Sequence, residues 1–266
     1  MNRKDKNESK TPCLRQSARY DRQKTLLGEE GQEKLSRASV FIAGAGGLGS
    51  PVATYLAAAG VGKIVLLDCD TVERTNLNRQ FLHHEKDIGK EKAISGAEKL
   101  NSFNPEIQIM PVVARLEKEN ISELAGECQI IVDALDNNET RRLLAAYAFD
   151  SQKPYIHAAV SGFQGQLASF YPEGGPCFFC AFPESEEETK SDAKNEDTDF
   201  PIIGATAGII GAMQANEVIK YISSGKKSIG KLFVWDGKNN FFDEIEIEKE
   251  KSCPICGRLE NEKRKE

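Results

Sequence analysis

An α/β fold, doubly wound about a mainly parallel sheet and continued by an antiparallel C-terminal extension, is predicted for this 266-residue chain by three observations. Short apolar, β-branched runs alternate with helix-like segments through the first half, the βαβα order that builds a parallel sheet covered on both faces. A glycine-rich GAGGLG at 44–49 sits between one such run and one such helix. Two C-x-x-C pairs, Cys177/Cys180 and Cys253/Cys256, stand more than seventy residues apart and have the spacing of a tetrahedral zinc site. Four thiolates leave no open coordination position, so such a zinc would be structural and would staple the tail to the middle of the chain.

Residues 1–17 are polar throughout and are expected to form a disordered arm. Strands are expected at Ser39–Ala43, Lys63–Asp68, Ile107–Val113 and Gln129–Leu135. Helices are expected at Ser50–Ala59, stopped by Gly60, and at Lys90–Asn101 and Glu139–Phe149. Gln164–Tyr171, Leu232–Trp235 and Asn240–Ile247 then read as antiparallel strands. They surround a helix from about Ala205 to Ile222, whose GATAGIIGAMQA start is rich in small residues that permit close packing. The organised chain therefore runs over 18–256, a nucleotide-binding half at about 18–160 and a second half at about 161–256 closed by the zinc. The acidic stretch 183–199, with eight carboxylates against two lysines, reads as an exposed mobile loop, and 257–266 as a charged tail.

The formal charge of -6 and the pI of about 5.4 argue against a nucleic-acid partner, which needs a basic face. No run approaches the roughly 18 uninterrupted apolar residues of a membrane helix, and the N-terminus lacks the apolar centre of a secretory signal. A cytoplasmic location is expected, where Cys13, Cys69 and Cys128 stay reduced and the paired cysteines prefer metal to disulfide.

The glycine loop matches G-x-G-x-x-G at Gly44, Gly46 and Gly49, and the helix that follows offers unpaired N–H groups and a positive dipole end to a phosphate. Asp68 follows Gly49 by nineteen residues, where an acid binds ribose hydroxyls. Taken alone, this fingerprint favours a dinucleotide dehydrogenase, though it does not fix which nucleotide is held. Arg79, in the run Asn76-Leu77-Asn78-Arg79-Gln80, Lys92 in IGKEKA, and Asp136 with Asn137 in VDALDNNETR shift the balance. A triphosphate uses two extra cations to offset its charge and a carboxylate to hold Mg2+; a nicotinamide dinucleotide has little need of them. Of the histidines, His83 and His84 are expected at the surface, and His157 at the end of a strand near the crevice. Trp235 reads as core, and Phe178 and Phe179 as packing under the zinc.

In the order RYDRQ, GAGGLGS, LLDCDTVERTNLNRQFL, DALDN, PCFFC, GIIGAMQANEVIK and CPICG, from Arg19 to Cys256, the chain resembles the ThiF/MoeB/HesA family, relatives of the ubiquitin-activating enzymes. The resemblance implies a Rossmann-like domain with a zinc-bound, carrier-binding C-terminal half. The activity it implies is ATP-dependent adenylation of the C-terminal carboxylate of a small ubiquitin-like or sulfur-carrier protein ending in Gly-Gly. Carried over by position, it makes Gly44, Gly46, Gly47, Gly49, Asp68, Asn76, Asn78, Arg79, Gln80, Lys92, Asp136 and Asn137 the ATP-binding set. Within it, Asp68 would hold the ribose, Arg79 and Lys92 the triphosphate, and Asp136 the Mg2+. Arg22 would reach the ATP of the second subunit of a homodimer.

One departure from the family stands out. Several members carry a cysteine between the first zinc pair and the GIIGAMQA helix, where this chain has none. Cys69 lies between two acids that disfavour its thiolate, Cys128 precedes a buried strand and Cys13 is in the arm. Adenylation without a covalent enzyme–carrier intermediate is therefore expected. An NAD-dependent oxidoreductase, or a tRNA-modifying dehydratase of the same superfamily, is the alternative. The pathway, whether molybdopterin, thiamine, tRNA thiolation or protein modification, is not written in these residues.

Overall fold

The computed structural model describes residues 18–183 and 201–257. The arm 1–17, nearly all of the acidic stretch 183–199 and nearly all of the tail 257–266 lie outside the described residues. Eight strands form one sheet in the order β3-β2-β1-β4-β5-β6-β7-β8. They are β1 (Ser39–Ala43), β2 (Lys63–Leu67), β3 (Gln108–Val112), β4 (Ile130–Asp133), β5 (Tyr155–Ser161), β6 (Gln164–Phe170), β7 (Lys231–Asp236) and β8 (Phe241–Glu246). The first five pair in parallel and the last three antiparallel. The antiparallel extension is thus a continuation of the nucleotide-binding sheet and not a second layer.

Alternation within the parallel strands explains why both faces are covered. Val40 and Ile42 enter one apolar cluster and Phe41 and Ala43 the other, because successive side chains on a strand point to opposite faces. The first cluster is closed by α1 (Asp21–Arg37), α2 (Gly49–Ala59), α3 (Lys92–Phe103) and the long α7 (Gly204–Ser224). The second is closed by α4 (Ile121–Ala125), α5 (Asn138–Asp150) and the one-turn α6 (Phe178–Ala181). The small residues at the start of α7 do pack closely: a Cβ on Gly211 would lie 2.4 Å from Pro51 Cγ of α2.

The expected strands and helices are present, with ends displaced by at most two residues and Ser39–Ala43 matched at both. Three helices, α1, α4 and α6, were not anticipated, and one strand runs further than expected. The helix α1 has few apolar residues and is interrupted at Gly28, which has φ 72°, so its sequence lacks a sustained apolar stripe. The strand β5 runs to Ser161, so His157 is its third residue, buried, and not its end. His83 is likewise 3% exposed and not at the surface, whereas His84 is exposed as expected. Trp235 is core.

β1 lies between β2 and β4, so the chain reverses its winding direction there, and the C-terminal ends of these three strands open on one crevice. Register places Ala43 level with Leu67 on one side and with Asp133 on the other. The phosphate loop, the Asp68 turn and the Asp136 turn all leave the sheet at this line.

Candidate active site

The glycine loop leaves β1 through Gly44, whose φ of +103° is open to glycine and costly to other residues. A Cβ at Gly49 would sit 1.9 Å from the Gly44 carbonyl oxygen, so the loop closes onto α2 only because that position is bare. Asp68 fixes the loop from β2: its Oδ2 accepts the Ala45 N–H at 2.7 Å and its Oδ1 the Asp70 N–H at 2.9 Å. Burial pushes its carboxyl up, against the opposing pull of Lys92 and of the two N–H groups.

Beside the loop lies a cleft of about 460 Å³ lined by Cys69, Asp70, Thr71, Glu73, Asn76, Arg79, Gln80, Lys92 and Asp136. Gly46 and Gly47 border it, with ideal Cβ positions 3.5 Å from Gln80 Nε2 and 3.6 Å from Arg79 Cγ. Arg79 is anchored by Nη1 to the Thr75 carbonyl at 3.0 Å and to Asn78 Oδ1 at 3.1 Å. Lys92 is buried at the start of α3 and its ammonium donates to Asp70 Oδ2 at 2.8 Å. Burial opposes ionisation of Asp70, but that ammonium outweighs it and holds the carboxyl below its usual range. Asn76 Oδ1 accepts the Glu73 N–H, which shapes the turn that carries Arg79. Gln80 Oε1 is buried at the cleft without a hydrogen-bond partner, a polar atom positioned for a ligand.

The expected residues divide accordingly. Asn76, Arg79, Gln80, Lys92 and Asp136 line one cleft, with Asp68 and the loop glycines adjoining it. Asn78 and Asn137 fall outside the lining. The Asn137 side chain caps α5 by accepting the Thr140 N–H at 2.9 Å, and Asn78 supports Arg79. Arg22 is exposed on α1 and is not among the residues that line the cleft of its own chain.

A buried polar cluster behind the Asp136 turn went unread in the sequence. Asp133, with no exposure, accepts from Arg141 Nε at 3.1 Å, from the Tyr155 hydroxyl at 2.8 Å and from His157 Nδ1 at 2.7 Å, all at Oδ2. Its Oδ1 takes the Leu135 N–H, while Arg141 Nη2 donates to the Leu135 carbonyl and Nη1 to Asn138 Oδ1. The turn that presents Asp136 is therefore gripped from both sides. Burial opposes ionisation of Asp133, but Arg141 and the hydrogen bonds from His157 and Leu135 outweigh it, so the carboxyl is held below its ordinary value. Burial pushes the His157 pKa down, and burial together with the Asp133 charge pushes Tyr155 far up. The sequence signal was DALD, two acids at one strand tip, of which only the outer one reads as a ligand.

The four paired cysteines do converge. Sγ separations are 3.8 Å for Cys177–Cys180, 3.6 Å for Cys177–Cys253 and 3.4 Å for Cys180–Cys256, and all four lie within 4.8 Å of one another. A tetrahedral zinc with bonds of about 2.3 Å has sulfur–sulfur edges of about 3.8 Å, so the donor set fits that ion in kind and in size. Phe179 packs against the cluster, and Phe178 lies between it and the sheet core. Outside the cluster, burial and then the Asp70 and Asp68 charges push the Cys69 thiol up, and burial does the same to Cys128. Cys13 lies outside the described residues.

The ThiF family model matches residues 20–255. The SAMP-activating enzyme E1 of Haloferax volcanii is 38% identical over 87% of this chain and 84% of its own length. The sulfur carrier protein adenylyltransferase of Thermus thermophilus is 36% identical over 90% of each. The adenylyltransferase and sulfurtransferase MOCS3 of Anopheles gambiae is 40% identical over 90% of this chain, which spans only 54% of that relative. Among solved structures, Escherichia coli MccB with ATP superposes with a TM-score of 0.80 at 25% identity, over 91% of this chain and 75% of the other.

Proposed function

The chain belongs to the ThiF family, and on that premise we propose that it is an ATP-dependent adenylyltransferase that activates the C-terminal glycine carboxylate of a small ubiquitin-like or sulfur-carrier protein. The observation that carries this reading is the cleft itself. Arg79, Lys92, Gln80 and Asp136 line one space beside the glycine loop at the line where the winding of the sheet reverses. An NAD-dependent oxidoreductase has no use for that set of charges.

The carrier carboxylate is already ionised at neutral pH and needs no base. One of its oxygens attacks the α-phosphorus of ATP; the bond from that phosphorus to the β-phosphate bridging oxygen breaks, and pyrophosphate leaves with the electron pair. The protein's task is to position the two anions and to offset their charge. The glycine-loop N–H groups and the start of α2 receive phosphate oxygens. Arg79 and Lys92 offset the charge carried to the leaving group, Lys92 exchanging Asp70 for phosphate, and Asp68 receives the ribose. Asp136 would hold Mg2+, which supplies charge neutralisation on the phosphates. Arg22 would serve the neighbouring subunit of a homodimer. The cysteine cluster would hold a structural Zn2+, and the protein would work in the cytoplasm; among the described residues no helix is long and apolar enough to cross a membrane.

Outside the cysteine cluster, neither described thiol, Cys69 or Cys128, is poised as a nucleophile, so the adenylate would pass to a separate sulfur donor or acceptor without an enzyme-bound carrier. Carrier-dependent exchange of labelled pyrophosphate into ATP tests the reading directly. Exchange is expected with a Gly-Gly-ending carrier and not with the carrier shortened by those two glycines. A thiol-sensitive carrier adduct on the enzyme that survives removal of ATP would contradict the absence of a covalent step.

Zinc removal is a separate expectation. The thiolates cross-link positions 76 residues apart. By the chain-entropy model such a link is worth on the order of 4 kcal/mol, roughly 10 °C in Tm for a domain of this size. Chelation, or Cys253→Ala, should lower Tm by that order while the protein still folded at 20 °C keeps its exchange activity. Loss of exchange in fully folded protein would show that the cluster reaches the chemistry.

A further inference from the structure

His83 makes two hydrogen bonds inside the core, and neither belongs to the cleft lining. Its Nε2 lies 3.0 Å from the carbonyl oxygen of Ala45, in the glycine loop, and its Nδ1 lies 3.0 Å from Ser95 Oγ on α3. Ser95 Oγ in turn accepts from the Lys99 ammonium at 2.8 Å, and Lys99 pairs with Asp87 at 2.5 Å. Ser95 has no exposure and Asp87 5%.

The chemistry of the ends fixes the direction of every proton between them. A carbonyl only accepts, so Nε2 carries the hydrogen; an ammonium only donates, so Ser95 Oγ accepts from it and turns its own hydrogen to Nδ1. Burial, together with Lys99 and Lys92, holds the ring neutral, consistent with that single tautomer. At the far end, a trans peptide is planar, with C=O and the following N–H on opposite sides. With the Ala45 carbonyl turned inward to His83 and its N–H held by Asp68, the Gly46 N–H faces away from the core. That N–H makes no backbone hydrogen bond among the described residues.

We propose that His83, set by Ser95 and Lys99, is a positioning residue that orients the Ala45–Gly46 peptide so that the Gly46 N–H meets a phosphate of the nucleotide. It touches no substrate. The assignment rests on the adenylation reading for the identity of the ligand, while the tautomer it requires can be read without any ligand.

Glutamine and asparagine separate positioning from packing. His83→Gln keeps an N–H near the Nε2 position, whereas His83→Asn mimics Nδ1 and leaves the Ala45 carbonyl unpaired in the core. Leaving a buried carbonyl unpaired predicts about a tenfold rise in the ATP dissociation constant and ATP KM for His83→Asn, with His83→Gln within about threefold of the parent. Ser95→Ala, which removes one of the two groups that set the tautomer, should also weaken ATP, while kcat at saturating ATP and the KM for carrier change little in all three. Nitrogen-15 NMR of the ligand-free protein should show His83 as the Nε2–H tautomer. An Nδ1–H tautomer, or equal ATP affinity in the Asn, Gln and parent proteins, would overturn the proposal, as would equal weakening of Asn and Gln in step with Tm. A parent protein that fails to bind ATP while showing the Nε2–H tautomer would instead overturn the adenylation reading.

Discussion

Asp136→Ala is expected to lower carrier-dependent pyrophosphate exchange by on the order of 10²–10³-fold, the cost of removing one group that stabilises developing charge. The same variant should unfold at the temperature of the parent. Asp136 is exposed at the mouth of the cleft, past the end of β4, and its side chain makes no hydrogen bond or ion pair among the described residues. Its carboxylate is set there by the turn that Asp133 and Arg141 grip, so deleting it removes charge without loosening the backbone. Asp136→Asn keeps an oxygen but not the charge, and should recover little of the rate even at raised Mg2+. Exchange that persists in the alanine variant would sink the assignment of Mg2+ to this residue.

Arg141→Ala should have the largest effect on stability, a loss of roughly 3–5 kcal/mol at pH 7.5, because it strands the Asp133 carboxylate in the core. The pH dependence identifies the cause. In the parent, Asp133 has a folded pKa below its unfolded value of about 3.9. Its stabilisation is therefore present above that value and is lost as pH falls through the folded pKa. His157 has a folded pKa below the unfolded value of about 6.5, so the unfolded chain takes up a proton first and stability falls as pH drops below that point. Both groups make the parent less stable in acid. The variant gains from acid in one respect, since protonating Asp133 removes the stranded charge, so its deficit against the parent should shrink between pH 7.5 and pH 4.5. Urea unfolding at the two pH values measures this. A deficit independent of pH would mean that Arg141 acts by packing alone.

The parallel half was legible because its strands are buried on both faces and so are nearly continuous apolar runs, Val40–Ala43 and Ile130–Val132 among them. The cleft was legible because each of its charges follows a strand or opens a helix, and in such a sheet those positions share one edge. Asp133, His157 and His83 were not, for a common reason. A buried polar residue differs in sequence from an exposed one only through its partners, and here the partners lie on other elements: Arg141 on α5, Ser95 on α3, and the Ala45 carbonyl, which has no sequence signature at all. Helix α1 escaped because its buried residues, Gly31, Gln32 and Leu35, are mostly not apolar. The cysteine spacing foretold a cluster, and the four sulfurs converge within 4.8 Å of one another.

The unbroken sheet has a mechanical consequence. Hydrogen-bonded pairing runs without a gap from β3 at one edge to β8 at the other, so the nucleotide crevice and the antiparallel wing are one stiff plate with no bending axis between them. Enzymes that swing two lobes together to shut out water need such an axis, and the sheet of the described residues offers none between its halves. Any enclosure of the reacting groups has to come from connections at the strand tips or from an incoming protein. A tail reaching the crevice would then act as both reactant and lid.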